Sequence, residues 1–263
     1  MPTVGDVAQV LEQLAPLALA EEWDNVGLLV GDSQWPAERV MTCLTITPET
    51  VAEAIDGGAQ LIVSHHPLPF RPVLSITSAT TVGRLLLELI RHSMAVYSPH
   101  TAFDSASAGI NQHLAIGLGL QEIRPLKPAP GGDGEEGAGR CGLVGEPLTR
   151  RELAERTKNF LNIDSLRMVG RDDAPASRVA IACGSGGSLL EAAIEAQCDL
   201  LVTGETTFHS CLEAEARGVG LILAGHFASE RFALLSLADY LTDQLAEISV
   251  WASRAERDPL RVV

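Results

Sequence analysis

The chain has 263 residues, 46% of them hydrophobic and 20% charged, a composition typical of a globular protein that buries its core in one large domain or two smaller ones. Its 34 acidic and 19 basic residues give a formal net charge of -15, so we expect no direct nucleic-acid partner. No apolar stretch has the length of a membrane span and no signal-peptide pattern is present, so we expect no membrane association and a cytoplasmic location. The five cysteines never form a C-x-x-C pair, which predicts reduced thiols.

Hydrophobic periodicity predicts strands and helices that alternate along the chain, which indicates an α/β fold. Short apolar runs predict strands at residues 28–30, 61–63, 95–98 and 221–224. Amphipathic patterns predict helices at residues 4–18, 48–56, 79–92, 108–117, 149–161, 188–196, 208–217 and 229–246.

Two segments of the sequence resemble each other. Residues 39–64, RVMTCLTITPETVAEAIDGGAQLIVS, align without a gap with residues 178–203, RVAIACGSGGSLLEAAIEAQCDLLVT, and each predicts strand, helix and strand. We therefore expect two pseudo-symmetric α/β halves related by an internal repeat, at residues 1–126 and 141–263. The segment between them, residues 127–140, is rich in Gly and Pro and predicts a linker or exposed loop.

The tetrad Ser64-His65-His66-Pro67 follows the apolar run that ends at Val63. Ligand sites of α/β sheets lie beyond the carboxyl ends of the strands, so two imidazoles at this position indicate chemistry. Neighbouring side chains on a strand point to opposite faces, so His65 and His66 converge only if the chain turns, which Pro67 favours. A pair of strand-end histidines with no ligand is the alternative that this tetrad leaves open.

Two further strand ends carry an H-x-x-x-[D/E] pattern, which runs from His100 to Asp104 in one half and from His226 to Glu230 in the other. Because such loops converge on one crevice, we predict a metal site in the cleft between the halves. Its ligands would be His65, His66, Asp104, His226 and Glu230. Imidazole and carboxylate donors do not distinguish among Zn, Fe, Mn, Ni and Mg.

Two further motifs are less specific. The Gly-rich segment at residues 184–187 follows a strand and precedes a helix, so it could hold an anion or simply form a tight turn. The tripeptide Trp23-Asp24-Asn25 could line a pocket or cap the turn into the next strand, and we expect the structural role.

These motifs together resemble the family of GTP cyclohydrolase 1 type 2 homologs, also called NGG-interacting-factor-three-like proteins. The matching pieces are WDNVGLLVG at 23–31, LIVSHHP at 61–67, SPHTAFD at 98–104, Gly109-Ile110-Asn111, LLVTGE at 200–205, His209 and AGHFASE at 224–230. The resemblance implies a toroidal homohexamer with two divalent ions per chain, bound by the same five ligands and facing an internal cavity. It also implies the short form of the family, without an inserted domain. Where many members have Gly-Asp, this chain has Gly204-Glu205, so we leave Glu205 out of the ligand set.

Five donors on two ions leave coordination positions for water and for a small-molecule substrate, which favours a metal-dependent hydrolase acting on a nucleotide or phosphoester. His100, His209 and Glu205 are the candidate general acids or bases, and the two histidines could also be additional ligands. The alternative is a non-catalytic metal-binding hexameric assembly or interaction protein, which the same five donors predict equally well.

Overall fold

The computed structural model describes residues 1–131 and 134–261. These residues form two compact units. The first contains Met1–Phe103 and the C-terminal segment from Ala233, and the second contains Asp104–Phe232. Within the described ranges, no helix has both the length and the apolar character needed to span a membrane.

The described residues form two sheets and nine α-helices, so the predicted α/β class is confirmed. The strands in chain order are β1 (Gly27–Val30), β2 (Arg39–Cys43), β3 (Leu61–Ser64), β4 (Ala95–Ser98), β5 (Leu120–Pro128), β6 (Gly137–Thr149), β7 (Arg167–Val169), β8 (Pro175–Ala182), β9 (Leu200–Thr203), β10 (Gly220–Leu223) and β11 (Ser249–Ala252). The helices are α1 (Val4–Leu14), α2 (Pro48–Asp56), α3 (Thr81–Arg91), α4 (His100–Ser105), α5 (Ile110–Gly117), α6 (Arg150–Leu161), α7 (Leu190–Glu195), α8 (Phe208–Ala216) and α9 (His226–Gln244), with 3-10 turns at Leu17–Leu19 and Gly186–Leu189.

The sheet of the first unit has the order β1-β4-β3-β2-β11, with only β1 antiparallel to its neighbour. Its central strands are buried along their whole length, as expected for a parallel sheet covered on both faces. One face packs Met41 and Ile62 against Val51 of α2 and Leu89 of α3. Helix α2 begins at Pro48, where the Thr47 side chain accepts a hydrogen bond from the Thr50 amide.

The sheet of the second unit has the order β5-β6-β8-β9-β10-β7. Alternating residues of β8 enter two different cores, because Val179 packs with Leu153 of α6 whereas Ala180 packs with Leu190 of α7. The sheet is therefore covered on both faces by helices of its own unit.

The internal repeat appears in the strand register. Val40 pairs with Leu61 in the first unit, and Val179 pairs with Leu200 in the second, so both partners move by the same 139 positions (40 to 179, 61 to 200). Each sheet continues with one further parallel strand, β4 or β10, and then an antiparallel edge strand, β1 or β7. The prediction of two pseudo-symmetric halves is confirmed at the level of strand order.

The boundaries between the halves differ from the prediction. Residues 127–140 are not simply a linker, because β5 ends at Pro128, β6 begins at Gly137, and the two strands pair as a hairpin. Residues 132 and 133 of this segment lie outside the described range. The C-terminal end of the predicted second half, 141–263, belongs instead to the first unit, because β11 pairs with β2. Strand pairing between distant residues therefore decides both boundaries.

Candidate metal centre

The backbone at His65 and His66 extends the pairing of β3 with β2 beyond the end of the strand. The His65 amide donates to the Cys43 carbonyl at 2.9 Å and the His66 amide donates to the Leu44 carbonyl at 2.8 Å. The Ser98 hydroxyl donates to the His65 carbonyl at 2.6 Å. These bonds hold both histidines where the chain bends out of the sheet, so the two rings converge, with centroids 5.2 Å apart.

His100 joins these two rings in the first unit. Its ring centroid lies 5.1 Å from that of His65 and 5.6 Å from that of His66. One ring nitrogen from each of the three lies within 4.8 Å of the other two, which is the arrangement of side chains that can hold a metal ion. His65 is fully buried and His100 nearly so. The structure thus groups His100 with the predicted ligand pair, which agrees with the sequence-based alternative that His100 is an additional ligand.

The backbone of His100 is strained. Its φ is 25°, a left-handed value that non-glycine residues rarely adopt. His100 is five residues from the start of β4, and Gly225 is five residues from the start of β10. Gly225 thus occupies the equivalent position in the second unit, and its φ is 94°. Glycine adopts such a conformation without steric cost, so the first unit tolerates strain in order to present an imidazole here.

Two side chains orient the rings of the first unit through their Nδ1 atoms. Asp24 accepts a hydrogen bond from His100 Nδ1 at 2.8 Å, and Thr45 Oγ1 lies 2.7 Å from His66 Nδ1. A histidine held through Nδ1 presents Nε2 to a metal, and such outer contacts are a regular feature of metal sites. The sequence analysis gave the tripeptide of Asp24 a structural role and did not select Asp24 as a site residue, whereas the structure places its carboxylate against His100.

Asp24 is ionised in the folded protein. Burial of its carboxyl would raise the pKa, but hydrogen bonds from His100 and Thr101 outweigh burial and lower the pKa from 3.8 to about 2. A carboxyl whose pKa is lowered by folding stabilises the folded state at any pH above its unfolded-state pKa, which is near 4. This stabilisation is lost as the pH falls from about 4 towards 2. The shift corresponds to about 2 kcal/mol at neutral pH.

We expect Asp24→Asn to reduce the dependence of the free energy of unfolding on pH in the acidic range. Between pH 5.5 and 3, the free energy of unfolding of the wild-type protein should fall by about 1 kcal/mol more than that of the variant, because only the wild type takes up this proton. Urea unfolding in the presence of a chelator measures the difference. Asp243→Asn, which removes an exposed carboxylate, should keep the wild-type profile. Parallel profiles for the wild type and Asp24→Asn would contradict the assignment.

His226 stands at the start of α9 in the second unit, between two carboxylates. Its Nδ1 lies 2.9 Å from Glu205 Oε1 and its Nε2 lies 3.1 Å from Glu230 Oε2. The hydrogen bond to Glu230 is the largest contribution that raises the pKa of His226, and despite opposing burial the pKa reaches about 9. At neutral pH the ring is therefore an imidazolium, and an ion bound to Nε2 must displace this proton.

Asp104 and Glu230 border the same thiol of the second unit. The pKa of Cys183 is raised well above its usual value, first by burial and then by the negative charges of Glu230 and Asp104. Asn111 links these elements, because its side-chain amide donates to the Asp104 carbonyl at 3.0 Å and its oxygen accepts from the Cys183 amide at 2.8 Å. Asp104, His226 and Glu230 thus belong to one polar region of this unit.

The Gly-rich segment supports this region. A Cβ at Gly184, where φ is 61°, would overlap the Glu230 carboxylate and come within 3.4 Å of His226 Nε2. The Gly184 amide donates to Ser229 Oγ at 3.0 Å, and its carbonyl accepts from the Glu205 amide at 2.9 Å. The helix that follows, α7, has only six residues. Close packing against the Glu230 carboxylate therefore accounts for a glycine at position 184.

The predicted site residues divide between the two units. His65, His66 and His100 belong to the first unit, whereas Asp104, Glu205, His226 and Glu230 belong to the second. His209 also belongs to the second unit, where it is exposed near the start of α8 with its ring beside Phe208. Among the described residues it is not part of a group that could hold a metal ion. Buried imidazoles with oriented rings fit a divalent transition metal, and the carboxylates of the second unit suit the same class of ion.

The fold and these side chains define a class of protein: two repeated α/β units that carry a buried His/Glu group able to hold a metal ion. The family model of Duf34/NIF3 (NGG1p interacting factor 3) matches residues 2–259. The chain belongs to this family, as the motifs of the sequence predicted.

Relatives of similar length support the assignment. The chain is 32% identical over 261 residues to a GTP cyclohydrolase 1 type 2 homolog of Clostridium perfringens, covering 99% of each chain. It is 36% identical over 234 residues to the protein of that name in Streptomyces coelicolor, covering 88% of this chain and 82% of the relative. The crystal structure of Staphylococcus aureus protein SA1388 is similar at a TM-score of 0.89 with 29% identity, covering 99% of each chain.

Proposed function

We propose that this protein is a metal-dependent hydrolase that acts on a nucleotide or phosphoester, and that His65, His66, Asp104, His226 and Glu230 bind two divalent ions. The observation that carries the proposal is the oriented histidine group of the first unit, in which Asp24 and Thr45 contact the Nδ1 atoms of His100 and His66. The names of the relatives, GTP cyclohydrolase 1 type 2 homolog, support a nucleotide as the substrate.

Divalent ions in such a site supply Lewis-acid activation of water and of the scissile bond. The protein holds the donors in place before any ion arrives, through the backbone bonds at His65 and His66 and through the contact of Glu205 with His226 Nδ1. Preorganised ligands avoid a conformational cost on binding and fix the ions relative to the substrate.

For proton transfer we propose Glu205. Its carboxylate contacts His226 but is about half exposed, so it can exchange a proton with solvent. His100 is the second candidate, with its Nδ1 proton held by Asp24. His209 is the third candidate, exposed on α8.

The test compares the wild-type protein with Glu230→Gln, which keeps the shape of the side chain and removes its charge. We expect the metal-loaded wild type to hydrolyse a member of a panel of nucleotides and phosphoesters, and Glu230→Gln to lose about 100-fold or more of this activity. Glu247→Gln, at an exposed position, is the matched control and should retain full activity.

Elemental analysis of the same samples separates the two parts of the proposal. Less than one ion per wild-type chain after dialysis would count against the metal centre. A full complement of metal with no turnover above the metal-free control would exclude hydrolysis of the panel compounds and favour a non-catalytic metal-binding protein.

A further inference from the structure

Two large aromatic side chains are exposed beside the histidine group of the first unit. Trp23 is 62% exposed and Phe70 is 48% exposed. The centroids of Trp23, Phe70 and His100 form a triangle with sides of 6.0 Å, 6.1 Å and 6.0 Å. Exposed aromatic pairs at the edge of a polar site are unusual, because leaving such rings in water forgoes a large hydrophobic contribution to stability.

Trp23 and Phe70 leave much of their aromatic surface exposed to solvent. Trp23 and Phe70 are inclined to each other by 48°, and each meets His100 steeply, at 78° and 74°. The two rings therefore do not stack face to face on each other. A flat ring stacked on the exposed part of either side chain would lie beside His100, whose ring centroid is 6.1 Å from that of Trp23 and 6.0 Å from that of Phe70.

The loops that carry the two rings are tied down. Asn25 Nδ2 donates to the Pro69 carbonyl at 2.8 Å, which joins the loop of Trp23 to that of Phe70. On the other side of the same tripeptide, Asp24 accepts from His100 and Thr101. The aromatic pair is thus preorganised relative to the histidine group, which lowers the entropic cost of binding a ligand there.

We propose that Trp23 and Phe70 form a stacking site for a planar heteroaromatic ring, which places a polar edge of that ring at the histidine group. The proposal rests on the metal centre proposed above. It implies that the heteroaromatic ring of the substrate contributes most of the binding free energy. The charge of the chain agrees, because a net charge of -15 offers little general attraction for the phosphate of a nucleotide.

The test uses GMP, AMP and UMP as ring-bearing probes and ribose 5-phosphate as the probe without a ring, titrated calorimetrically into manganese-loaded protein. We expect at least one nucleotide to bind about 10-fold or more tightly than ribose 5-phosphate. Trp23→Ala should remove about 10-fold of this affinity, in line with a base-stacking contribution of about 1–3 kcal/mol. Trp23→Phe should stay within about threefold of the wild type, since it keeps an aromatic face.

Phe208→Ala is the control, because it removes an exposed aromatic ring elsewhere on the chain and should leave nucleotide binding unchanged. Equal affinity in Trp23→Ala and wild type, equal binding of ribose 5-phosphate, or no binding of any nucleotide by protein with full metal content would each overturn the stacking site. The manganese content of every variant is measured in parallel, so loss of the metal centre is recognised separately. A change in the solution mass of Trp23→Ala with unchanged nucleotide affinity would also overturn the proposal. It would indicate that the two aromatic side chains form an interface between copies of this chain.

Discussion

Gly184→Ala is expected to weaken metal binding by the proposed ligands His226 and Glu230 while the chain still folds. The new methyl group would overlap the Glu230 carboxylate, and the left-handed backbone at φ 61° resists any residue with a Cβ by about 1–2 kcal/mol. Glu230 is largely buried and is held between the Gly-rich segment and His226. The clash can therefore be relieved only if the carboxylate moves away from His226. Elemental analysis of the purified variant should show a loss of about one ion per chain relative to the wild type.

A matched control separates backbone strain from the clash. Gly218 has a similar φ of 77°, but a Cβ there would meet nothing within 4 Å. Gly218→Ala should therefore lose stability through strain alone and keep its metal. The double variant Gly184→Ala with Glu230→Ala tests the contact itself, because the added stability cost of the alanine should largely disappear once the carboxylate is removed. Full metal content in Gly184→Ala would contradict the proposed role of the loop.

Arg140→Met is expected to destabilise the second unit by about 3–5 kcal/mol. The Arg140 side chain is fully buried, and its five N–H groups donate five hydrogen bonds. The acceptors are the Gln112 side chain and the carbonyls of Ser105, Ala106, Gly137 and Gly139, at 2.5–3.2 Å. Methionine fills much of the volume but removes the guanidinium donors from these acceptors, of which the Ala106 carbonyl keeps a bond from the Gly109 amide, and each lost hydrogen bond to a buried group is costly.

Denaturant unfolding of metal-free protein measures this effect without a contribution from bound ions. Arg140→Lys should fall close to Arg140→Met, because an ammonium group cannot reproduce the planar fork of the guanidinium. Arg171→Met is the control, since Arg171 pairs with Asp173 on an exposed surface and should change stability by less than about 0.5 kcal/mol. A loss below about 1 kcal/mol in Arg140→Met would show that the buried guanidinium does not anchor the hairpin.

Arg140 also explains why part of the predicted linker or exposed loop lies in a strand. Residues 127–140 are rich in Gly, Pro and acidic residues, and such a composition locally predicts an exposed loop. The outcome depends on contacts that the local pattern does not contain, because Arg140 joins β6 to residues 34 and 35 positions earlier in the chain. A buried cation that satisfies distant carbonyls looks, in sequence, like any surface arginine.

The sequence by itself determined the features that depend on local periodicity and on repetition. Strand and helix patterns have periods of about 2 and 3.6 residues, so the α/β class, the repeat and the strand-end position of His65 and His66 were all predictable. The sequence also predicted that His226 and Glu230 belong to one site, but it placed them in a strand-end loop and began the last helix at residue 229. In the structure α9 begins at His226, so the two residues are i and i+4 on one face of a helix.

Only the tertiary structure decided which residues orient and enclose those histidines. Asp24 reaches His100 across 76 positions of the chain, and Thr45 reaches His66 across 21. Gly184 approaches Glu230 across a comparable distance, through backbone packing that has no sequence period. Such contacts arise when strands pair and loops converge at their ends, so their partners are set by the register of the sheets and not by neighbours in the chain.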